Sequence, residues 1–420
     1  MARDFDLSLY LVTDRPLSLG RNMRWIVEEA VRGGCTIVQL REKDCDTRTF
    51  VELALQLKEE LSRTGVPLII NDRLDVALAV DADGVHIGQS DMPYELARKM
   101  LGPDKIIGLS VENMDDLFRA NGLDVDYIGI SPIFSTPTKT DTSQPFGLDG
   151  AREAMSLSRH PAVGIGGMNH RTAKSVMECG VDGIAVVSDI VSAESPQDSS
   201  RGLLEIVRAS QGTWCGNVWN VVSPLFERLK EHPFIHGMIE GTLPQECFQR
   251  YLAQDRVYLA NYTEEMNAMV ALLPDGEAKE MFRLFAKDSM DAERELNAKL
   301  GSTEGVVAAN LIAEYMQHTR GFVDGGDKAL AMASLLPCMW LYNELGKYMA
   351  AEMKGGESNP YREWISLYSS PLMEKGVPVM QALADGLAAG ETAARKAEMR
   401  YVFCQSCRFE LAFFDQALNG

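Results

Sequence analysis

Through its first 208 residues the sequence repeats one pattern, in which a short apolar segment ends in polar residues and an amphipathic segment follows. The apolar segments are LSLYLVTD, CTIVQLREK, PLIIND, GVHIG, IIGLS, YIGISPIF, AVGIGG and GIAVVSD. Apolar strands that alternate with helices predict a parallel sheet covered by helices, and eight such units are typical of an α/β (β/α)₈ TIM barrel. A doubly wound sheet is the alternative, but no G-x-G-x-x-G motif follows the first strand.

After residue 208 this pattern stops, and no further strand is predicted. A turn-like segment is followed by long stretches rich in Ala, Leu, Met, Glu and Lys, which favour an all-α bundle. The chain has 420 residues, more than one hydrophobic core usually organises. We therefore predict a barrel domain over residues 1–209, a linker over 210–216 and a helical domain over 217–420.

Charge and composition exclude several classes of protein. The formal net charge is −19, so nucleic acid is not expected as a partner, and an anionic substrate needs a local basic cluster. No apolar run approaches the roughly 20 residues of a membrane helix, and the start of the chain lacks the apolar region of a signal peptide. The 8 cysteines follow no framework spacing. We expect a cytoplasmic protein.

Polar residues at the ends of barrel strands are candidates for an active site, because barrels build their sites at that face. Gln39, Arg41 and Lys43 are spaced by two, so an extended strand places two cations and an amide on one side, where they suit a phosphate. A solvated loop cluster is the alternative. Asp72 and Asp91 follow the third and fourth strands and suit Mg²⁺, although each alone is also a typical helix N-cap.

Further anion-binding loops are predicted after the last three strands. The segment STPTKT at 135–140 offers hydroxyls, backbone N–H groups and Lys139, although a loop braced by proline is the alternative. Gly166 and Gly167 end the seventh strand, and Val187 and Ser188 follow the eighth, where barrels commonly bind phosphate. The strand ends together predict two phosphate sites with a pair of metal-binding carboxylates between them.

The motifs QLREK, INDR, DGVHIGQSD, GLS, ISPIFSTPTKT, GIGG and VVSDI resemble the thiamin-phosphate synthase family over residues 7 to about 208. The resemblance implies a transferase that couples hydroxymethylpyrimidine diphosphate with thiazole phosphate to give thiamin phosphate and pyrophosphate. It implies that the pyrimidine diphosphate is bound by Gln39, Arg41, Lys43, Asn71, Ser110 and Lys139, of which Arg41 and Lys139 act catalytically on the leaving group. It implies Mg²⁺ on Asp72 and Asp91, and thiazole phosphate on Thr136, Pro137, Thr138, Gly166, Gly167, Val187 and Ser188.

Two features refine this resemblance. Thiazole tautomerases share the barrel but lack much of the diphosphate-binding set, which is present here and therefore favours a synthase over this alternative. Asn113 stands where family members often have a histidine, which affects a secondary contact.

In the helical half, polar residues interrupt apolar helix faces. Three pairs share a face by their spacing: Asp255 with Tyr258, Cys338 with Tyr342, and Glu410 with Phe413. A carboxylate on an apolar stripe costs free energy unless it is paired or used, which favours a functional role for Asp255 and Glu410. The alternatives are carboxylates that reach solvent at the stripe edge and a cysteine that serves as a small buried apolar residue.

The motifs HPFIHGMIEGTLP, YLAQDRVYL, LLPCMWLY, YREWISLY and FELAFF resemble the TenA family over about 217 to 418. The resemblance implies a haem-oxygenase-like bundle, without a cofactor, that hydrolyses an aminopyrimidine to hydroxymethylpyrimidine and, as a thiaminase II, thiamin itself. It implies Cys338 as nucleophile, Glu410 as the proton-transferring group and Asp255 as the residue that orients the pyrimidine. The implied pocket residues are Tyr258, Tyr315, Tyr342, Tyr368 and Phe413.

Other features of this half complete the prediction. Asn297 stands where many TenA relatives have a histidine, and Cys404 and Cys407 form a single CxxC pair that indicates packing rather than a metal site. The sequence has no P-loop, so a separate kinase must phosphorylate the hydroxymethylpyrimidine. TenA relatives usually assemble as homotetramers, so we expect a homo-oligomer through the helical half. A non-catalytic ligand-binding or regulatory module is the alternative for this half.

Overall fold

The structure is a computed structural model that describes residues 5–135, 144–300 and 307–419, except for the side chains of 292–300. The chain divides into two compact units, Met1–Val221 with Thr392–Ala397 and Val222–Glu391 with Glu398–Gly420. None of the described helices combines the length and apolar character needed to cross a membrane.

Eight parallel strands close into a barrel in chain order, with the last strand paired to the first. The strands are β1 (Leu9–Val12), β2 (Ile37–Leu40), β3 (Leu68–Asn71), β4 (Gly84–Ile87), β5 (Ile106–Val111), β6 (Tyr127–Ile130), β7 (Ala162–Ile165) and β8 (Gly183–Val186). Nearly every strand residue is buried, as expected for strands covered on both faces. The predicted TIM barrel is confirmed.

Helices follow the strands and cover the barrel. They are α1 (Met23–Arg32), α2 (Thr47–Leu61), α3 (Leu74–Ala79), α4 (Tyr94–Leu101), α5 (Met114–Ala120), α6 (Gly147–Leu157), α7 (Ala173–Met177), α8 (Ser188–Val191) and α9 (Pro196–Ser210). The helix α1 shows why these segments are helical: Asn22 caps its N-terminus and Ile26, Val27 and Ala30 bury one face.

The barrel interior is filled by side chains from most of the strands. Its core includes Tyr10, Ile37, Ile69 and Tyr127. Gly108 on β5 leaves room for the Tyr127 ring, because a Cβ atom at Gly108 would lie 2.1 Å from Tyr127 Cζ. Since the interior is packed, the open space lies at the carboxyl ends of the strands.

The described part of the second half contains helices joined by turns, and no strand. Its helices are α10 (Trp214–Lys230), α11 (Pro233–Glu240), α12 (Gln245–Leu272), α13 (Glu277–Leu300), α14 (Asn310–Asp324), α15 (Lys328–Glu352), α16 (Arg362–Tyr368), α17 (Pro371–Ala389) and α18 (Ala393–Asn419). Most residues of α15 are buried, and α14, α16 and α17 pack around it. The predicted all-α fold is confirmed, and its central helix carries Cys338.

The predicted linker over 210–216 is partly wrong, because α10 begins at Trp214 and only residues 211–213 separate it from α9. Trp214 and Cys215 are buried, with exposed fractions of 8% and 4%. Burying these apolar side chains stabilises a helix where the turn-like composition predicted irregular chain.

Candidate active sites

A cavity of about 500 Å³ lies at the carboxyl ends of the barrel strands. Its wall contains every described residue that the sequence predicted for this half: Gln39, Arg41, Lys43, Asn71, Asp72, Asp91, Ser110, Gly166, Gly167, Val187 and Ser188. The predicted residues Thr136, Pro137, Thr138 and Lys139 lie outside the described residues. The parallel strands thus bring residues from six separate motifs to one space.

The cations of this cavity contact acids. Lys43 Nζ donates to Asp72 Oδ2 at 2.6 Å, and Arg41 Nη1 donates to Asp14 Oδ2 at 3.0 Å. Asp14 was not predicted, although it follows β1 at the same face as the other strand-end residues. Both cations therefore lie on the cavity wall with acids beside them.

Asp72 and Asp91 interact with each other. Burial alone would raise the pKa of Asp72, but hydrogen bonds from Lys43 and from Asp91 lower it below its ordinary value. Burial and the neighbouring Asp72 raise the pKa of Asp91, while the backbone N–H of Gly88 donates to Asp91 Oδ2 at 2.7 Å. Two adjacent carboxylates of this kind fit a divalent cation such as Mg²⁺. Among the described residues no group of three or more His, Cys, Asp or Glu converges, so Asp72 and Asp91 stand there as a pair.

A hydrogen-bond chain that runs through the wall of the cavity was missed by the sequence analysis. Gln39 Nε2 donates to the Tyr10 hydroxyl at 2.8 Å, which lies 2.7 Å from the Tyr127 hydroxyl. His86 continues the chain, with Nδ1 at 3.0 Å from the Tyr127 hydroxyl and Nε2 at 2.9 Å from Ser110 Oγ. The sequence did contain a signal for this chain, namely polar residues at inward-facing positions of apolar strands. This chain of hydrogen bonds holds the side chains of Gln39 and Ser110 in position.

The Gly166-Gly167 turn brings backbone close to its neighbours. Both residues have positive φ, +96° and +73°, and a Cβ atom would lie 2.8 Å from Pro132 Cβ at Gly166 and 2.9 Å from Phe134 Cβ at Gly167. Only glycine satisfies both the backbone conformation and the space. Ser188, the first residue of α8, lines the same cavity.

A second, smaller cavity of about 70 Å³ lies in the helical half. Its wall includes five of the predicted residues: Asp255, Tyr258, Cys338, Tyr342 and Tyr368. They come from α12, α15 and α16, and Cys338 is half-buried while most residues of its helix are buried. The wall also contains residues that were not predicted: Leu259, Tyr262, Phe285, Asp288, Ser289, Met339, Leu367 and Met373.

Glu410 lies beside Cys338 without lining the cavity itself. The Tyr315 hydroxyl donates to Glu410 Oε1 at 2.7 Å, and both side chains are almost fully buried. Burial raises the pKa of Glu410 to about 7, although hydrogen bonds with Tyr315, Tyr342 and Cys338 oppose the shift. A carboxyl group that titrates near neutral pH can both accept and donate a proton.

Asp255 and Cys338 are held largely neutral. Burial, then the charge of Glu410, raises the pKa of Asp255 to about 8. Burial, then the charges of Glu410 and Asp255, raises the pKa of the Cys338 thiol well above its ordinary value. The thiol therefore needs a base before it can act as a nucleophile, and Glu410 is the carboxylate beside it.

Phe413 is placed differently from the sequence expectation. It does not border the cavity, and its ring stacks on Tyr251 with centroids 4.8 Å apart. The Tyr251 hydroxyl lies 3.0 Å from that of Tyr342, so Phe413 supports a wall residue through Tyr251. Tyr315 likewise lies behind the wall, where it stacks on Tyr258 with centroids 4.7 Å apart.

The CxxC pair is buried among helices. Cys404 and Cys407 have exposed fractions of 1% and 0%, and burial raises the pKa of Cys404 to about 11. Two protonated, enclosed thiols on one helix are the packing arrangement that the sequence predicted. Residue Asn297 lies among those whose side chains are outside the described set.

Comparison with known proteins assigns each half to a family. Residues 9–190 match the family model described as "Thiamine monophosphate synthase", and residues 219–420 match that of the "TENA/THI-4/PQQC family". The chain is 52% identical over 200 residues to a thiamine-phosphate synthase of Vibrio campbellii, covering 48% of this chain and 98% of that protein. It is 47% identical over 203 residues to one of Clostridium novyi, covering 48% and 100%.

A solved structure also matches the second half. A TenA homologue of P. horikoshii is 23% identical, with a TM-score of 0.44, over 49% of this chain and 98% of that one. Because of the identity to whole synthases, the chain belongs to the thiamine monophosphate synthase family through its barrel, and its helical half matches the TENA/THI-4/PQQC family model.

Proposed function

We propose that the barrel joins hydroxymethylpyrimidine diphosphate to thiazole phosphate, forming thiamin phosphate and releasing pyrophosphate. The observation that carries the proposal is one cavity lined by Arg41, Lys43, Asp72, Asp91 and the Gly166-Gly167 turn. Such a wall suits two phosphorylated reactants and a divalent cation at once. The names of the relatives of this half agree with the same activity.

The proposed reaction breaks one bond and forms another at the same carbon. The C–O bond to the diphosphate breaks, its electron pair leaves with pyrophosphate, and the thiazole nitrogen then gives its lone pair to the methylene carbon. Arg41 and Lys43 stabilise the leaving charge, while Gln39, Asn71 and Ser110 orient the pyrimidine. Mg²⁺ on Asp72 and Asp91 supplies further positive charge to the pyrophosphate when bound. Backbone N–H groups of the Gly166-Gly167 turn hold the thiazole phosphate.

A direct assay tests this half. The full chain is incubated with both reactants and Mg²⁺, and thiamin phosphate is measured together with pyrophosphate. We expect both products in equal amounts and their loss in the Arg41→Ala variant. The absence of thiamin phosphate from the unaltered chain would remove the synthase proposal and favour a thiazole tautomerase.

We propose that the helical half hydrolyses an aminopyrimidine, and thiamin as a related substrate, to hydroxymethylpyrimidine. This rests on a thiol at a cavity wall with a buried carboxyl group beside it that titrates near neutral pH. Cys338 Sγ bonds to a carbon of the pyrimidine ring as Glu410 takes the thiol proton, and Glu410 gives this proton to the amine as the exocyclic C–N bond breaks. Water then adds to the exocyclic carbon and gives a proton to Glu410, which returns it to the sulfur as the C–S bond breaks. Asp255, largely neutral at the cavity wall, presents a donor and an acceptor to ring nitrogens.

Release of ammonia from aminopyrimidine tests this second proposal. We expect the full chain to release it and the Cys338→Ala variant to bind the aminopyrimidine without releasing ammonia. If the unaltered chain binds the compound but releases no ammonia, the helical half is a ligand-binding module. The two proposed reactions connect only through phosphorylation of hydroxymethylpyrimidine, so we further propose that a separate kinase links them.

A further inference from the structure

The cavity of the helical half has acids and no described cation in its wall. Asp255 and Asp288 line it, and Glu410 adjoins it through Cys338. The other wall residues are aromatic, aliphatic, sulfur-containing or hydroxyl-bearing, and no lysine, arginine or histidine is among the described ones. The barrel cavity is the opposite, since Arg41 and Lys43 lie in its wall.

The two acids of this wall lie at different depths. Asp255 is buried, with an exposed fraction of 5%, whereas Asp288 on α13 is exposed to solvent. Leu367, another wall residue, has an exposed fraction of 40%. Asp288 and Leu367 are both exposed and part of the wall, so they mark the mouth of the cavity, and the half-buried Ser289 lies beside Asp288.

The cavity has room for one ring of a two-ring substrate. One water needs roughly 10–15 Å³ of such space, so about 70 Å³ corresponds to a few waters and is filled by a single small ring. A pyrimidine bound beside Cys338 therefore leaves the second part of a larger substrate at the mouth, next to Asp288. The carboxylate of Asp288 then attracts or repels that second part according to its charge.

We propose that Asp288 makes the helical site selective against phosphorylated substrates, so that thiamin phosphate, the product of the barrel, is not hydrolysed by the same chain. This inference rests on the functions proposed for both halves. The thiazolium of thiamin is cationic and is attracted to the mouth carboxylate, whereas a phosphate monoester there is repelled. Two unit charges about 8 Å apart in a medium of effective dielectric constant near 20 change an equilibrium constant by roughly 30-fold.

The electrostatic surroundings of the mouth reinforce this selection. Asp291, three residues further along α13, adds negative charge that Asp288 senses. The net charge of the chain is −19, so the general field also disfavours anions. In the barrel cavity, Arg41 and Lys43 overcome this field locally, whereas the described wall of the helical cavity contains no cation and the exposed Lys287 beside Asp288 lies outside that wall.

The test compares hydrolysis of thiamin and of thiamin phosphate by the full chain, in low salt and with each substrate below saturation. We expect kcat/KM for thiamin to exceed that for thiamin phosphate by at least about 30-fold. The Asp288→Lys variant is expected to narrow this ratio at least tenfold, and Asp288→Asn to narrow it by less. Asp291→Lys, the same charge change outside the wall on the same helix, is the matched control and is expected to change the ratio less than threefold.

Two results would overturn the inference: equal hydrolysis of the two substrates, or a ratio that Asp288→Lys leaves unchanged. If the unaltered chain hydrolyses neither compound, the proposed hydrolase function fails separately. Equilibrium dialysis then tests the selectivity by comparing how the unaltered chain and the Asp288→Lys variant bind thiamin and thiamin phosphate. Binding by the barrel is the same in both proteins and cancels in the difference between them. Weaker thiamin binding and stronger thiamin phosphate binding in the variant support the inference, and no difference overturns it.

Discussion

The two cavities of this chain differ in whether a cation lies beside their acids. In the barrel, Asp14 and Asp72 lie within 3.0 Å and 2.6 Å of a cation, and the pKa of Asp72 is lowered. In the helical half, burial raises the pKa of Asp255 to about 8 and that of Glu410 to about 7. In the barrel cavity a cation offsets burial at Asp72, although burial still raises the pKa of Asp91, whereas burial of Asp255 in the helical cavity is opposed by no cation. This difference fits binding of anions in the first cavity and proton transfer in the second.

The origin of the residues differs in the same way. The barrel cavity takes short motifs from successive strand ends, because parallel strands all point their carboxyl ends at one face. The helical cavity takes single side chains from helices far apart in sequence, such as Asp255 on α12 and Cys338 on α15. Site residues of the first half can therefore be recognised in the sequence as motifs. Those of the second half appear only as single polar residues on otherwise apolar helix faces.

The largest expected effect is the complete separation of the two activities. Cys338→Ala removes the proposed nucleophile and should lower ammonia release at least about a thousandfold, while thiamin phosphate synthesis is unchanged. Arg41→Ala should abolish thiamin phosphate synthesis and leave ammonia release unchanged. Both reactions are measured on each purified variant, and Cys404→Ala, which removes a buried thiol from another helix, is the control. Loss of both activities in either variant would contradict independent sites.

A second prediction concerns the anion-binding turn of the barrel. Gly167→Ala forces a Cβ atom to within 2.9 Å of Phe134 Cβ at a φ of +73°, so the turn must shift. We expect KM for thiazole phosphate to rise by about 10- to 100-fold, because the backbone donors move, with a smaller change in kcat. Steady-state kinetics measures this split.

Gly65→Ala is the matched control for that variant. Gly65 has nearly the same φ, +74°, but nothing lies within 4 Å of a Cβ atom there. It should cost about 1 kcal/mol of stability and leave KM unchanged. An equal rise of KM in both variants would mean that backbone strain, and not the turn's position, produces the effect.

A third prediction follows from burial of acids in the helical half. Asp255 has an ordinary pKa of 3.8 and a folded-state pKa of about 8. Between these values the folded chain keeps a proton that the unfolded chain has released, so stability falls as pH rises from about 4 to about 8. Asp255→Asn carries no such proton, so its stability relative to the unaltered chain should increase between pH 6 and pH 8, on the order of 2 kcal/mol.

Hydrogen exchange at matched pH measures this difference in each half separately. Peptides from α12 and α18 should gain protection in Asp255→Asn at pH 8 more than at pH 6, and barrel peptides serve as the internal reference. A gain that is the same at both pH values would show that Asp255 does not carry a raised pKa. A gain in the barrel peptides would show that the two halves are not independent.

The fold could be predicted from sequence because its patterns are local. Alternation of apolar strands and helices specifies the barrel, and the motifs at strand ends place Lys43, Asp72 and Asp91 on one face. The start of α10 at Trp214 was missed, since a turn-like composition does not show that Trp214 and Cys215 become buried. Burial of a side chain is a tertiary property.

Other parts of the sites could not be predicted for the same reason. Tyr10 and His86 lie in apolar strands and resemble core residues until the barrel closes around them. The spacing of Glu410 and Phe413 showed a shared helix face but not that Tyr251 separates Phe413 from the cavity. Asp288 lies on a helix rich in acids, where a mouth residue has the same pattern as a solvated one.

The smallest effect is predicted for the hydrogen-bond chain in the wall of the barrel cavity, from Gln39 through Tyr10 and Tyr127 to His86. Tyr10→Phe removes the hydroxyl that accepts from Gln39 and contacts the Tyr127 hydroxyl, and leaves these two buried side chains without that partner. We expect a loss of about 1–2 kcal/mol in the free energy of unfolding of the barrel, and a several-fold rise of KM for the pyrimidine diphosphate, because Gln39 is no longer held. Tyr94→Phe is the control, since its hydroxyl donates to the Asp124 carbonyl at the surface.

Urea unfolding and steady-state kinetics of the two variants give the answer. A Tyr10→Phe barrel that is less stable but has unchanged KM would mean that the chain supports the core alone. A raised KM with unchanged stability would mean that the hydroxyl acts directly on the substrate, since Tyr10 also lines the cavity. Only a loss of stability together with a raised KM fits a hydrogen-bond chain that positions Gln39. That result would extend the contrast between the halves, because charge pairs and neutral hydrogen bonds would position residues of the barrel site, whereas the helical site depends on buried acids.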